Sequence, residues 1–217
     1  MRAHPAGALR VGLTGGIAAG KSMVGVMFVA LGAYLLQADE IAHQLMEPGE
    51  AVYQEVVRHF GPGILDPDGR VNRPRLAEAA FGDGSPPSRV QELNQIVHPA
   101  VVRKQEEWME EVGRRDPHSI ALVEAALILE AGAAQSFDRL VVVTCRPEQR
   151  IERWAHRLNV DQETARREVT RRMAAQFSDE EKIKAAHYVI DNSGSFAETR
   201  AQVETVFREL RRATEKP

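Results

Sequence analysis

Hydrophobic positions recur along the chain in two periods. Short, nearly continuous runs rich in Val, Ile and Leu stand at Arg10–Thr14, Ala33–Leu36, Ser119–Glu124, Leu140–Thr144 and Tyr188–Ile190, with stretches of helical period between them. Runs of that length without polar alternation suit strands buried on both faces, as in a parallel sheet covered by helices. The pattern predicts an open α/β fold of three layers. Met23–Leu36 is apolar over 14 residues and is broken by Gly25 and Gly32. A membrane-spanning helix needs about 20, so this stretch reads as a core helix followed by a strand. Near the C-terminus, Val203, Val206, Phe207 and Leu210 fall at helical spacing within Ala197–Arg212. They predict a final amphipathic helix that closes the sheet, with Ala213–Pro217 as a loose tail.

Two segments break the strand–helix rhythm. From Pro48 to Asp116 the turn-rich stretches Phe60–Arg70 and Phe81–Ser88 punctuate amphipathic helical patterns, with no confident strand. This segment, about residues 48–116, reads as a helical insertion projecting from a core of about 10–47 and 117–217. Arg146–Gln176 is also helical in pattern and carries eight arginines between Arg146 and Arg172, with no lysine. The whole of 1–217 is read as a single domain.

Composition narrows the classes. With Lys+Arg 28 against Asp+Glu 31 the net charge is −3, which gives no global attraction to nucleic acid or to an anionic membrane. The single cysteine, Cys145, excludes an intrachain disulfide; it follows an apolar run and reads as a buried structural thiol. The first nine residues hold no apolar stretch of signal-peptide type. A cytoplasmic protein that binds no nucleic acid and no membrane is expected, compatible with a monomer.

The strongest chemical signal is Gly15-Gly16-Ile17-Ala18-Ala19-Gly20-Lys21-Ser22, a GxxxxGK[ST] pattern between the strand Val11–Thr14 and a helix beginning near Lys21. Glycines let the backbone curl so that N–H groups face phosphate oxygens, and the helix N-terminus adds partial positive charge. Lys21 would reach β- and γ-phosphates and the Ser22 hydroxyl would ligate Mg²⁺. A merely structural glycine turn is disfavoured, because a lysine in the first helical turn opposes the helix dipole unless an anion is present.

The reaction served by such a phosphate site is narrowed by elimination. No NKxD segment surrounds Asn72, Asn94, Asn159 or Asn192, which argues against a guanine-nucleotide switch. Glu124 closes the central strand as a motor-type ATPase would require, without being decisive. A small-molecule kinase with an acceptor-binding insertion and an arginine-rich lid, about 146–178, fits the length and layout. Arg146, Arg150, Arg153 and Arg157 fall at intervals of 4, 3 and 4, one face of a helix, where a bound polyphosphate would neutralise them. A solvated helix face is the alternative. Arg167 and Arg172, each four residues after a glutamate, read as members of a salt-bridged surface. Asp39 stands at the carboxyl end of the second strand, the edge where open α/β sheets bind ligands. It reads equally as a helix N-cap and as a base that deprotonates an acceptor hydroxyl.

Taken in order, VGLTGGIAAGKS, QADEIAHQLMEPG, FGPGILDPDGRVNRPRLAEAAF, NQIVHPAV, ALILE and YVIDNSG make the chain similar to the dephospho-CoA kinases nearly end to end. Those enzymes phosphorylate the 3′-hydroxyl of dephospho-CoA with ATP, the last step of coenzyme A synthesis. The resemblance implies a P-loop NTPase fold, ATP and Mg²⁺, and dephospho-CoA as the small-molecule substrate. It implies Asp39 as base, Lys21 and Arg157 on the transferring phosphates, and Arg73 and His98 near the acceptor. Met23 completes the nucleotide-binding stretch that begins at Gly15. For His98 a place at a helix start locked by Pro99 is the blander reading, and for Arg73 a pairing with Asp68. Asn192 is expected either to face the adenine or to cap the final helix. Gln37 stands where the family usually has a first aspartate, Ala18-Ala19 replace a small Gly-Ser pair, Met23 replaces a hydroxyl residue and Ala126 a proline. Two rivals remain: a kinase for another nucleoside-like alcohol, and a nucleotide-sensing binding module.

Overall fold

The computed structural model describes residues 7–81 and 89–215. All five predicted strands form, each within a residue or two of its expected limits: β1 (Leu9–Gly15), β2 (Tyr34–Gln37), β3 (Ile120–Glu124), β4 (Arg139–Thr144) and β5 (Tyr188–Asp191). They make one sheet in the order β2-β3-β1-β4-β5. β1 pairs in parallel with β3 and β4, and β4 in parallel with β5, with Val11 facing Leu122 on one side and Arg139 on the other. The phosphate-loop motif thus leaves the sheet at its central strand, flanked by β3 and β4.

The two faces of the sheet are covered as its apolar runs require. Val11 and Leu13 of β1 pack in one core with Val24, Met27 and Phe28 of α1 (Lys21–Ala30) and with Val203, Val206 and Leu210 of α9 (Phe196–Thr214). Gly12, between those two residues of β1, points to the other face, where a side chain would press on Leu140, Phe137 and Ile128. The final helix begins at a capping box, with Ser195 Oγ accepting from the N–H of Glu198 and the Glu198 carboxylate accepting from the N–H of Ser195. Asn192 is therefore not its cap. The stretch expected as a tail from Ala213 is helical to Thr214, and its residues 216 and 217 lie outside the described residues.

The chain divides into two compact units, Met1–Leu36 with Met109–Pro217, and Gln37–Trp108. The second starts before the expected Pro48, because the chain leaves the sheet at Gln37 and turns at once into α2 (Ala38–Leu45). Within this unit follow α3 (Ala51–Phe60), α4 (Arg73–Phe81) and the first part of α5 (Val90–Arg115). As expected it holds no strand of its own among its described residues beyond Gln37 at the end of β2, only an isolated bridge between Leu65 and Val71. Tyr53 of α3 ties down the turn before α4 by donating its hydroxyl to the Gly69 carbonyl at 2.6 Å. The predicted turn at Phe81–Ser88 falls on residues 82–88, outside the described residues. Pro99 lies inside α5, so His98 is not a helix-start residue. The helix carries the ring although proline cannot donate the N–H that an interior position normally supplies.

The arginine-rich segment forms α6 (Pro147–Leu158) and α7 (Gln162–Ala174), followed by α8 (Asp179–Ala185). Two charged pairs are built around α8. Arg150 of α6 reaches Asp179, and Lys182, fully buried, lies 3.0 Å from Glu130. Glu130 also accepts the backbone N–H of Phe177.

Candidate active site

The loop of Gly15–Ser22 is shaped by what holds its carbonyl oxygens. Lys21 Nζ donates to the carbonyls of Gly15 and Gly16, at 3.0 and 3.2 Å. The Ala19 carbonyl accepts from Asn192 Nδ2 at 2.8 Å and from Arg153 Nη1 at 3.2 Å. Cys145 Sγ lies 3.9 Å from the Ala18 carbonyl, and burial pushes its thiol pKa up, which keeps it neutral beside the loop. The Ala19 N–H turns back on the Gly16 carbonyl at 3.2 Å, so the loop is a tight glycine-rich turn of the kind whose backbone N–H groups can bind anions. Gly20 takes φ 97° as N-cap of α1, and no side chain caps that helix start. Ala18 also lies in the left-handed region, at φ 53°. That conformation costs an L-residue roughly 1–2 kcal/mol, so the alanine in place of glycine holds strain in the loop.

Ser22 and Glu124 supply the oxygen chemistry. Ser22 Oγ donates to Glu124 Oε1 at 2.7 Å, joining the first turn of α1 to the end of β3. A hydroxyl and a carboxylate side by side are hard ligands that suit Mg²⁺, which is ordinarily held by one or two protein oxygens together with phosphates and water. No cluster of three or more His, Cys, Asp or Glu side chains fit to hold a metal occurs among the described residues. The Ser22–Glu124 pair is therefore compatible with an ion completed by a ligand's own oxygens. Glu124 was legible as an acid closing a strand, but that strand is β3, beside the central β1 rather than the central strand itself, and its pairing with Ser22 was not legible.

The arginine row on α6 is neither a solvated face nor a uniform anion receptor. Arg146 is exposed at the N-cap. Arg150 is 1% exposed and bound to Asp179 and, at 3.4 Å, to the Cys145 carbonyl. Arg153 spans from the Ala19 carbonyl to that of Asn192, the latter at 2.8 Å. Arg157 is exposed, and its guanidinium stacks 4.6 Å above the Trp154 ring, which Arg172 also approaches at 4.8 Å. Arg172 keeps the expected link to Glu168, at 3.9 Å, whereas Arg167 forms no ion pair with Glu163 among the described residues. The spacing does set Arg150, Arg153 and Arg157 along one helix, with Arg146 outside it as the extended N-cap; it could not reveal that the core grows up around the middle of the row.

Asn192 follows β5 and is 3% exposed. Its Nδ2 holds the loop at Ala19 and its Oδ1 accepts from Thr199 Oγ1 at 3.0 Å. What it offers a nucleotide is a fixed loop rather than an open amide.

The second unit places its candidates on α2 and the turn before α4. Gln37, not Asp39, is the N-cap of α2, so the capping role weighed for Asp39 is not the one it has. Asp39 is exposed in the first turn, where the helix dipole favours a carboxylate. His43 stands one turn further on the same face. Burial and then the Arg73 charge hold its pKa below the usual histidine value, against the opposing pull of Asp39 and Glu40. Arg73 does not pair with Asp68, which Arg70 takes instead at 3.8 Å. His43, Arg70 and Arg73 all line one cavity of about 210 Å³. His98 is half-buried in α5.

A parallel sheet with this loop at its central strand, followed by an acidic strand end, defines a P-loop kinase fold. A shikimate kinase from Bacteroides thetaiotaomicron shares that fold alone, with a TM-score of 0.55 at 11% identity over 93% of this chain and 98% of the other. The family is set by sequence: the dephospho-CoA kinase model matches residues 9–198. A dephospho-CoA kinase from Aquifex aeolicus is 40% identical over 203 residues, 94% of this chain and 98% of that protein. The crystal structure of TT1252 from Thermus thermophilus aligns with a TM-score of 0.76 at 29% identity, over 94% of this chain and 98% of the other. The chain belongs to the dephospho-CoA kinase family. No helix among the described residues is long and apolar enough to cross a membrane.

Proposed function

We propose that this protein transfers the γ-phosphoryl group of ATP to the 3′-hydroxyl of dephospho-CoA, giving coenzyme A and ADP, in the cytoplasm. The observation that carries the reading is the phosphate loop itself. Asn192 and Arg153 hold its Ala19 carbonyl, Lys21 Nζ lies against it and its helix start has no side-chain cap, in a chain whose family acts on that acceptor. Phosphoryl transfer asks a protein mainly for positioning and charge stabilisation. Gly15–Met23 would cradle the phosphates, and Lys21 Nζ would exchange the Gly15 and Gly16 carbonyls for β- and γ-phosphate oxygens. Ser22 with Glu124 would hold Mg²⁺, which would supply positive charge to offset that of the phosphates. Asp39 takes the proton of the 3′-hydroxyl on its carboxylate; Arg73 and His98 bind the acceptor. Arg157, exposed on α6, meets the transferring phosphate as the lid closes.

The test is coupled ADP release with dephospho-CoA, with a panel of nucleosides, and with no acceptor. Turnover that depends on acceptor and prefers dephospho-CoA is expected. Acceptor-independent hydrolysis would make the protein a nucleotide sensor, and a preference for another nucleoside would make it a different kinase.

A further inference from the structure

A buried arginine stands behind the phosphate loop. Arg150 is 1% exposed, and a methyl group built on Gly16 would overlap its Nη1. The absence of a side chain at Gly16 is thus what lets the guanidinium lie against the backbone. Its other contacts are the Asp179 carboxylate at the start of α8 and, at 3.4 Å, the carbonyl of Cys145, the residue following β4. The Nε–H has no partner among the described residues. Leaving such a donor unpaired in a core is unfavourable, and an apolar side chain of similar length would avoid it. A residue kept under those terms, pressed on the backbone of the loop, has a use there.

We infer that Arg150, locked by Asp179, is a positioning residue for nucleotide binding: it sets the path of the loop at Gly16 so that the N–H edge faces the phosphates. It does not touch the nucleotide. Asp179 neutralises much of its charge, so its contribution is orientation rather than attraction at a distance. Gly16 and Arg150 are then two halves of one fit, and Asp179 holds the second half in place. A further consequence is that α8, beyond the lid, is coupled to the loop through a single side chain.

Nucleotide binding can be read without the acceptor, so the readout is the affinity for ADP by calorimetry, alongside the melting temperature. Misplacing a binding element by about 1 Å can cost about 100-fold. Arg150→Met should weaken ADP about 10–100-fold on that scale, with the KM for dephospho-CoA unmoved. Asp179→Asn should weaken ADP in the same direction by less, and Arg150→Lys should lie between wild type and Arg150→Met. Gly16→Ala should also weaken ADP, and combined with Arg150→Met should cost clearly less than the product of the two single effects, since the methyl group then has room. A purely structural Arg150 would lower the melting temperature and leave the ADP affinity of the folded protein unchanged, and that result overturns the inference. So do single effects that multiply. If Arg150→Met does not fold, Asp179→Asn and Arg150→Lys carry the same readout, and ADP affinities equal to wild type in both overturn it. A wild-type protein that binds no ADP would refute the kinase reading instead.

Discussion

Replacing Asn192 by alanine should loosen the phosphate loop and the start of α9 together. The variant loses the 2.8 Å bond to the Ala19 carbonyl and the 3.0 Å bond from Thr199 Oγ1, both buried. Each such bond contributes about 1 kcal/mol net, and a buried donor left without an acceptor adds about 1–3 kcal/mol. Two circumstances limit the total. The Ala19 carbonyl keeps Arg153 Nη1 at 3.2 Å, and the Thr199 hydroxyl can turn to the Ser195 carbonyl one helical turn back. A loss of about 2–4 kcal/mol results, which lowers the melting temperature of a chain of this size by roughly 5–15 °C. Thr199→Val should cost about 1–2 kcal/mol, and the double variant less than the sum, because the two side chains share one bond. Denaturant unfolding gives the energies. Binding of ADP and GDP separates this role from an adenine contact: the strut predicts that Asn192→Ala weakens both nucleotides by the same factor. A loss below about 0.5 kcal/mol, the range of ordinary surface changes, or a selective loss of ADP would refute the reasoning.

Three further outcomes are expected. Lys21→Ala should lower turnover by about 10²–10³, the scale of one preorganised electrostatic donor, with folding retained; wild-type turnover at saturating substrates would remove the lysine from the reaction. Asp39→Asn should bind ATP as wild type does and lose most turnover, since an amide holds the acceptor hydroxyl but cannot take its proton, while Gln37→Ala should matter much less; the reverse order would displace Asp39 as base. Arg157→Lys should cut turnover substantially and leave ATP affinity within a few fold, because an ammonium cannot grip two phosphate oxygens at once, whereas exposed Arg166→Lys should be silent; equal, near-wild-type turnover in both would return Arg157 to its stack on Trp154.

The parts of the molecule that a sequence displays are those governed by local chemistry. The inner strands β1, β3 and β4 were visible because both-face burial writes an unbroken apolar run, and the partly exposed edge strands β2 and β5 because short apolar runs stand between helical stretches. The loop was visible because glycines, a lysine and a hydroxyl must stand at fixed spacing between a strand and a helix. What stayed hidden depends on distant partners. The spacing of Arg146, Arg150, Arg153 and Arg157 is the same whether the row faces solvent, phosphate or core, and only the arrival of Asp179, Ala19 and Asn192 decides it. Lys182 gave no signal, and Glu130 stood out only as the last residue of ALILE; their pairing was hidden, since buried charges are exceptional and no spacing marks them. Pro99 suggests a helix start because proline favours that position, yet α5 runs through it. The second unit begins at Gln37 rather than Pro48 because α2 follows β2 without a loop, and a boundary without a turn has no sequence mark.

The position of the new phosphate on the acceptor tests the assigned reaction most directly. Purified protein incubated with ATP, Mg²⁺ and dephospho-CoA, with the product then read by ³¹P NMR, should show one new monoester resonance coupled to the ribose 3′-proton, in a one-to-one ratio with ADP formed. ADP without a new monoester, or a phosphate on any other oxygen, would contradict the account.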